Sequence, residues 1–87
     1  MKIGIVGAGA MGSGIAQVAA QNGHQVIIID SHRAALEKSK SGHQKILARL
    51  VEKGRLAEGE DQEVLKRMRH ESELANLEGC GLVIEAI

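Results

Sequence analysis

The sequence predicts an α/β fold with a parallel sheet, and three features of its first thirty residues predict it. A β-branched run, Ile3-Gly4-Ile5-Val6, leads straight into a glycine turn, Gly7-Ala8-Gly9-Ala10-Met11-Gly12. An apolar stretch with helical character follows to Asn22. A second strand, Gln25 to Ile29, then ends on Asp30. Strand, Gly-x-Gly-x-x-Gly turn, helix, strand and terminal acid is the order in which a dinucleotide-binding unit of the Rossmann type is built.

Residues 2–6 read as a central strand because their apolar character is continuous, as parallel strands covered on both faces require. Residues 11–22 read as a helix whose small side chains, Gly14, Ala16, Ala19 and Ala20, permit close approach to a sheet, with Asn22-Gly23 as its stop. Residues 25–29 form the second strand. Ser31 is placed to cap a long helix to about Lys53, stopped by Gly54, with Leu36, Ile46, Leu47, Leu50 and Val51 on its apolar face and Lys38, Lys40, Lys45, Arg49 and Lys53 elsewhere. At 1.5 Å per residue this helix is about 33 Å long, more than a small sheet needs for cover. A third helix from Gly59-Glu60-Asp61 to about Arg67 carries acids in its first turn and Lys66 and Arg67 in its last, the arrangement that the helix dipole favours. Met68 to Glu71 is expected as a short third strand, Ser72 to Leu77 as a helical turn, and Leu82 to Ile87 as a fourth strand after the Glu78-Gly79-Cys80-Gly81 loop.

Each glycine of the turn has a physical task. Gly7 turns the chain out of the strand, Gly9 lets a pyrophosphate approach the backbone, and Gly12 lets the helix pack on the strand. A helix starting near Ala10-Met11 leaves its first N–H groups free to meet phosphate, so no cationic side chain is needed, and none lies between Ile3 and His24. Asp30 stands 18 positions beyond Gly12, close to the roughly 20 expected of an acid that binds the adenosine ribose. Its carboxylate would repel a 2′-phosphate, which favours NAD over NADP. An acid before a helix also serves as a cap, and that reading of Asp30 stays open.

Composition narrows the alternatives. Eleven basic and eleven acidic residues balance to zero, so no field for nucleic acid or a membrane surface is present. The chain has no Phe, Tyr or Trp, which removes the aromatic platforms that stack single-stranded bases. Cys80 is the only cysteine, which excludes an intrachain disulfide and suits a reducing compartment. His24, His32, His43 and His70 are scattered without metal-ligand spacing and read as surface or boundary residues. One lysine separates Met1 from the first strand, so no leader peptide is expected, and no apolar run reaches the roughly 20 residues of a membrane span. A cytoplasmic location is therefore expected.

Over its whole length the chain resembles the N-terminus of the 3-hydroxyacyl-CoA dehydrogenase family, including the bacterial 3-hydroxybutyryl-CoA enzymes. The resemblance rests on Gly7 to Gln17, on Asp30, on the long basic helix and on Leu82-Val83-Ile84-Glu85-Ala86-Ile87. It implies that Gly7, Gly9, Ala10, Met11 and Gly12 hold the NAD pyrophosphate, that Asp30 binds ribose, and that Ala86 and Ile87 flank the cofactor. It also implies that the tip of the long helix meets coenzyme A through Lys53 and its neighbour Arg55, two residues that a solvated face would explain equally well. Ile46 stands where some relatives carry a serine that contacts coenzyme A.

The resemblance places the family's catalytic histidine, its acidic partner and its helical dimerisation domain beyond the position matching Ile87. Residues 1–87 are then a partial Rossmann domain of about four strands, with no catalytic residue and no metal site, and the chain alone is expected not to turn over acyl-CoA. In the strand order 3-2-1-4 the last strand leaves an apolar edge at Val83, Ile84 and Ile87, from which self-association through residues 82–87 is expected. Two other readings remain open. One is a non-catalytic nucleotide sensor or oligomerisation module, and the other is the N-terminus of a 6-phosphogluconate-type or 3-hydroxyisobutyrate-type dehydrogenase, which should lack the long excursion from Ser31 to Arg67.

Overall fold

The structure, a computed structural model, describes residues 1–87. Its elements follow the order β1 (Lys2–Val6), α1 (Ala10–Gln21), β2 (Gln25–Ile29), α2 (Arg33–Glu52), α3 (Glu60–Lys66), β3 (Met68–Glu71), a 3-10 turn (Leu74–Leu77) and β4 (Leu82–Glu85). The four strands form one parallel sheet in the order β3-β2-β1-β4, the expected Rossmann-type α/β arrangement. In this register Ile5 faces Ile28 on one side and Ile84 on the other, and Ile28 faces His70.

Strand alternation divides the apolar residues between two faces. Ile3, Ile5, Val26, Ile28 and Met68 join Ala16 and Ala20 of α1, Leu36 and Leu47 of α2, and Val64 of α3 in one core. The three helices therefore cover a single face. Leu77, Cys80 and Val83 come over Gly4 on the other, where an added Cβ would lie 2.5 Å from a Leu77 methyl carbon.

Three expectations are corrected. Ser31 does not cap α2: the helix begins at Arg33 with His32 as its N-cap and no side-chain cap bond, while Asp30 Oδ1 accepts the His32 N–H at 2.9 Å. Asp30, one residue earlier, forms the turn that a serine cap would have made. Ile46 is 45% exposed, because it lies about 100° around the helix from Leu47, which is fully buried. The last strand ends at Glu85 instead of Ile87. Ala86 still donates its N–H to Val6 at 2.8 Å, but Ile87 is 95% exposed. No helix is long and apolar enough to cross a membrane.

Candidate functional site

The carboxyl ends of β1, β2 and β4 open onto a cleft of about 730 Å³, where ligands of open parallel sheets bind. Gly7, Gly9, Asp30, Ala86 and Ile87 line it. Ala10, Met11 and Gly12 do not. Met11 is exposed on the outer side of α1, and Gly12 is buried beneath the turn. Lys53 and Arg55 lie at the far end of α2, outside the cleft.

The turn is built for close approach. Gly7 has φ +113°, and a Cβ on it would lie 2.6 Å from the Ala86 carbonyl oxygen, so no other residue fits without displacing β4. A Cβ on Gly12 would overlap the Gly7 carbonyl oxygen. Gly9, by contrast, has open space where a side chain would stand. It is the N-cap of α1, and the N–H groups of Ala10, Met11 and Gly12 have no protein acceptor, while Ser13 N–H reaches Gly9 at 2.9 Å. The first turn of α1 holds no acidic residue to neutralise this positive end.

Asp30 is doubly engaged. Its Oδ2 accepts the Ala8 N–H at 2.9 Å and its Oδ1 the His32 N–H, so it clamps the glycine turn as well as starting α2. The Ala8 N–H and then the His32 N–H hold its carboxyl below the usual carboxylate range, against a small opposing effect of burial. It is therefore ionised at neutral pH. Oδ1 also lies 3.2 Å from His32 Nδ1, so it is Oδ2, with the Ala8 N–H as its single partner, that has lone-pair capacity left for a ribose hydroxyl. Asp30 is not the N-cap of α2, which is His32; its Oδ1 holds the turn that leads into the helix, and its Oδ2 is the oxygen free for a ligand.

Other residues of the site were not legible. Ser72, Glu73, Leu74 and Ala75 line the cleft from the segment after β3, as do Ser31 and His32. The rule that ligands meet the carboxyl ends of parallel strands, applied to β3, would have found Ser72 and Glu73. His43, expected at the surface or its boundary, is instead buried. It is 2% exposed, lies with its ring centroid 5.7 Å from that of His70, and donates from Nε2 to the Ser13 carbonyl at 2.8 Å. Its signal was its place on one α2 face with Leu36, Ser39 and Leu47. No group of three or more His, Cys, Asp or Glu side chains is arranged to hold a metal ion.

This geometry suits a dinucleotide: an open cradle at Gly9, unpaired amides at a helix start and an ionised acid at the end of β2. The family model for the 3-hydroxyacyl-CoA dehydrogenase NAD binding domain matches residues 2–87. The chain belongs to this family. Its cofactor is NAD, and it corresponds to the N-terminal part of the 3-hydroxyacyl-CoA dehydrogenases.

A probable 3-hydroxybutyryl-CoA dehydrogenase of Deinococcus radiodurans is 44% identical over the whole chain, which spans 31% of that relative's length. The crystal structure of a 3-hydroxybutyryl-CoA dehydrogenase from Escherichia coli superposes with a TM-score of 0.93 at 35% identity, over 98% of this chain and 18% of that one. An (S)-3-hydroxybutyryl-CoA dehydrogenase from Ralstonia eutropha gives 0.92 at 38% identity, over 98% and 30% of the respective chains.

Proposed function

We propose that this chain supplies the adenosine-side half of the NAD site in an enzyme that moves hydride between C3 of a 3-hydroxyacyl-CoA and the nicotinamide, in fatty acid metabolism. When bound, NAD supplies the hydride acceptor. The protein's own contribution is binding and orientation. The amides that open α1 take the pyrophosphate, Asp30 takes the ribose hydroxyls, and Gly7 and Gly12 keep the turn thin enough for both. Ala86 and Ile87 bound the cleft on the β4 side.

The observation that carries this reading is the convergence of open Gly9, the unpaired N–H groups of Ala10, Met11 and Gly12, and Asp30 at one end of the sheet. Addition of ADP-ribose to the isotopically labelled chain should move the amide resonances of Gly9 to Gly12 and leave those of α3 in place. Shifts confined to the surface of α2 would refute it.

The same reading assigns acyl-CoA to the complete enzyme, with Lys53 and Arg55 at the coenzyme A side, and gives residues 1–87 no turnover of their own. The excursion of α2 and α3 between β2 and β3 supports it over a hydroxyacid dehydrogenase of the 6-phosphogluconate type. We place the protein in the cytoplasm. The outer edge of β4, where Leu82 and Val83 are 46% and 47% exposed, supports self-association through residues 82–87 as part of this reading.

A further inference from the structure

Two buried polar side chains interrupt the apolar face of α2, and both reach the same residue of α1. Ser39 and His43, one helical turn apart, lie between Leu36 and Leu47 on that face and are 5% and 2% exposed. Ser39 Oγ is 2.7 Å from Ser13 Oγ, and His43 Nε2 is 2.8 Å from the Ser13 carbonyl oxygen. Ser13 Oγ in turn lies 3.0 Å from the Ala8 carbonyl oxygen. A carbonyl only accepts, so the single proton of the Ser13 hydroxyl goes to Ala8, and Ser13 Oγ must accept from Ser39. The direction of the relay is fixed: Ser39 to Ser13, Ser13 to Ala8.

The end of the relay matters for the turn. Ala8 donates its N–H to Asp30 Oδ2, so both of its backbone polar atoms are pinned by side chains. Its carbonyl belongs to the peptide that carries the Gly9 N–H. In a planar trans peptide the C=O and N–H point in opposite directions, so holding the carbonyl toward Ser13 turns the Gly9 N–H away from it. That N–H has no protein acceptor, and Gly9 lines the cleft. We infer that Ser39 is a positioning residue for the dinucleotide site, acting through Ser13 to fix the Ala8–Gly9 peptide in the orientation that receives the diphosphate. The inference rests on the assignment of NAD to this cleft. His43 holds Ser13 from its backbone side, so the long helix grips the glycine turn at two points.

The test compares Ser39→Ala, which removes the hydroxyl, with Ser39→Cys, which keeps the side chain's shape but provides only a weak donor. In the ligand-free full chain, both variants should shift the Gly9 amide resonance and speed hydrogen exchange at Ala8 several-fold, with Ile3 and Ile5 of β1 unchanged. Both should weaken NAD binding about fivefold, the effect of one hydrogen bond of about 1 kcal/mol. Wild-type behaviour of Ser39→Cys in both measurements would overturn the inference, since packing alone would then explain the residue. Unaltered Ala8 and Gly9 amides in both variants would overturn it as well. A wild-type chain that bound no NAD would refute the cofactor assignment, and the amide measurements would still decide the relay.

Discussion

Gly12→Ala and Gly14→Ala make the same chemical change two residues apart in α1, and the structure predicts opposite outcomes. In a helix interior, alanine is favoured over glycine by about 1 kcal/mol. At Gly14 an added Cβ meets nothing within 4 Å, so Gly14→Ala should stabilise the fold by about 0.5–1 kcal/mol. At Gly12 the Cβ would overlap the Gly7 carbonyl oxygen and lie 3.0 Å from its carbonyl carbon. These are backbone atoms, and Gly7 is anchored by its own N–H bond of 2.7 Å to Ile29, so no rotamer change relieves the clash. Overpacking costs about 1–3 kcal/mol, and a rigid backbone obstacle places the cost at the upper end. After the propensity gain, Gly12→Ala should lose about 2 kcal/mol, leaving a gap of about 3 kcal/mol between the variants. With a urea slope of about 1 kcal/mol per molar, the midpoint for Gly12→Ala should fall by about 2 M while that for Gly14→Ala rises slightly. Equal midpoints would refute the argument that the helix and the turn are in contact through Gly12.

Three further outcomes are expected. Burial, then the charges of His43 and Lys40, push the His70 imidazole down from 6.5 to about 4. The unfolded chain therefore binds the proton first, and stability should be constant above pH 6.5 and decline as pH falls toward 4, by at most about 3 kcal/mol and by about 1–2 kcal/mol after solvent screening. Urea titrations of His70→Gln should show a flatter decline over that window, and an unchanged slope would contradict the assignment. Leu47→Ala opens a cavity under α2 at a fully buried site and should cost about 2–5 kcal/mol in the same assay; a loss below about 1 kcal/mol would mean that the helix is not seated as described. Val83→Lys on β4 should reduce concentration-dependent light scattering without lowering the urea midpoint, whereas unchanged scattering would remove β4 from the self-association surface.

What was legible in the sequence was what the backbone itself requires. Gly7 needs positive φ and Gly12 a bare Cα, and such demands leave a residue-type signature that no tertiary contact can rewrite. Strand positions were equally clear, because Ile3 to Val6 and Val26 to Ile29 are covered on both faces and so read as continuous apolar runs. Where two residues could do the same job, sequence was a poor guide. Ser31 and Asp30 are both competent to start α2, and only the position of the His32 N–H decides for Asp30. Ser72 and Glu73 enter the cleft because β3 lies beside β2, a fact about sheet order that no local pattern carries. His43 has the polarity of a surface or boundary residue but the helical period of a buried one. Its place on one face with Leu36 and Leu47 was visible, but its partner Ser13, 30 residues away, was not.

The central claim is that residues 1–87 form the adenosine-side half of an NAD site. It is tested most directly by calorimetric titration of the chain with NAD, NADP and ADP-ribose, alongside Asp30→Ala. The account predicts that NAD and ADP-ribose bind with similar affinity, that NADP binds more weakly, and that Asp30→Ala loses this preference along with part of the affinity, since the same carboxylate also holds the turn. Equal binding of NAD and NADP by the wild-type chain, or full retention of the preference by Asp30→Ala, would contradict it.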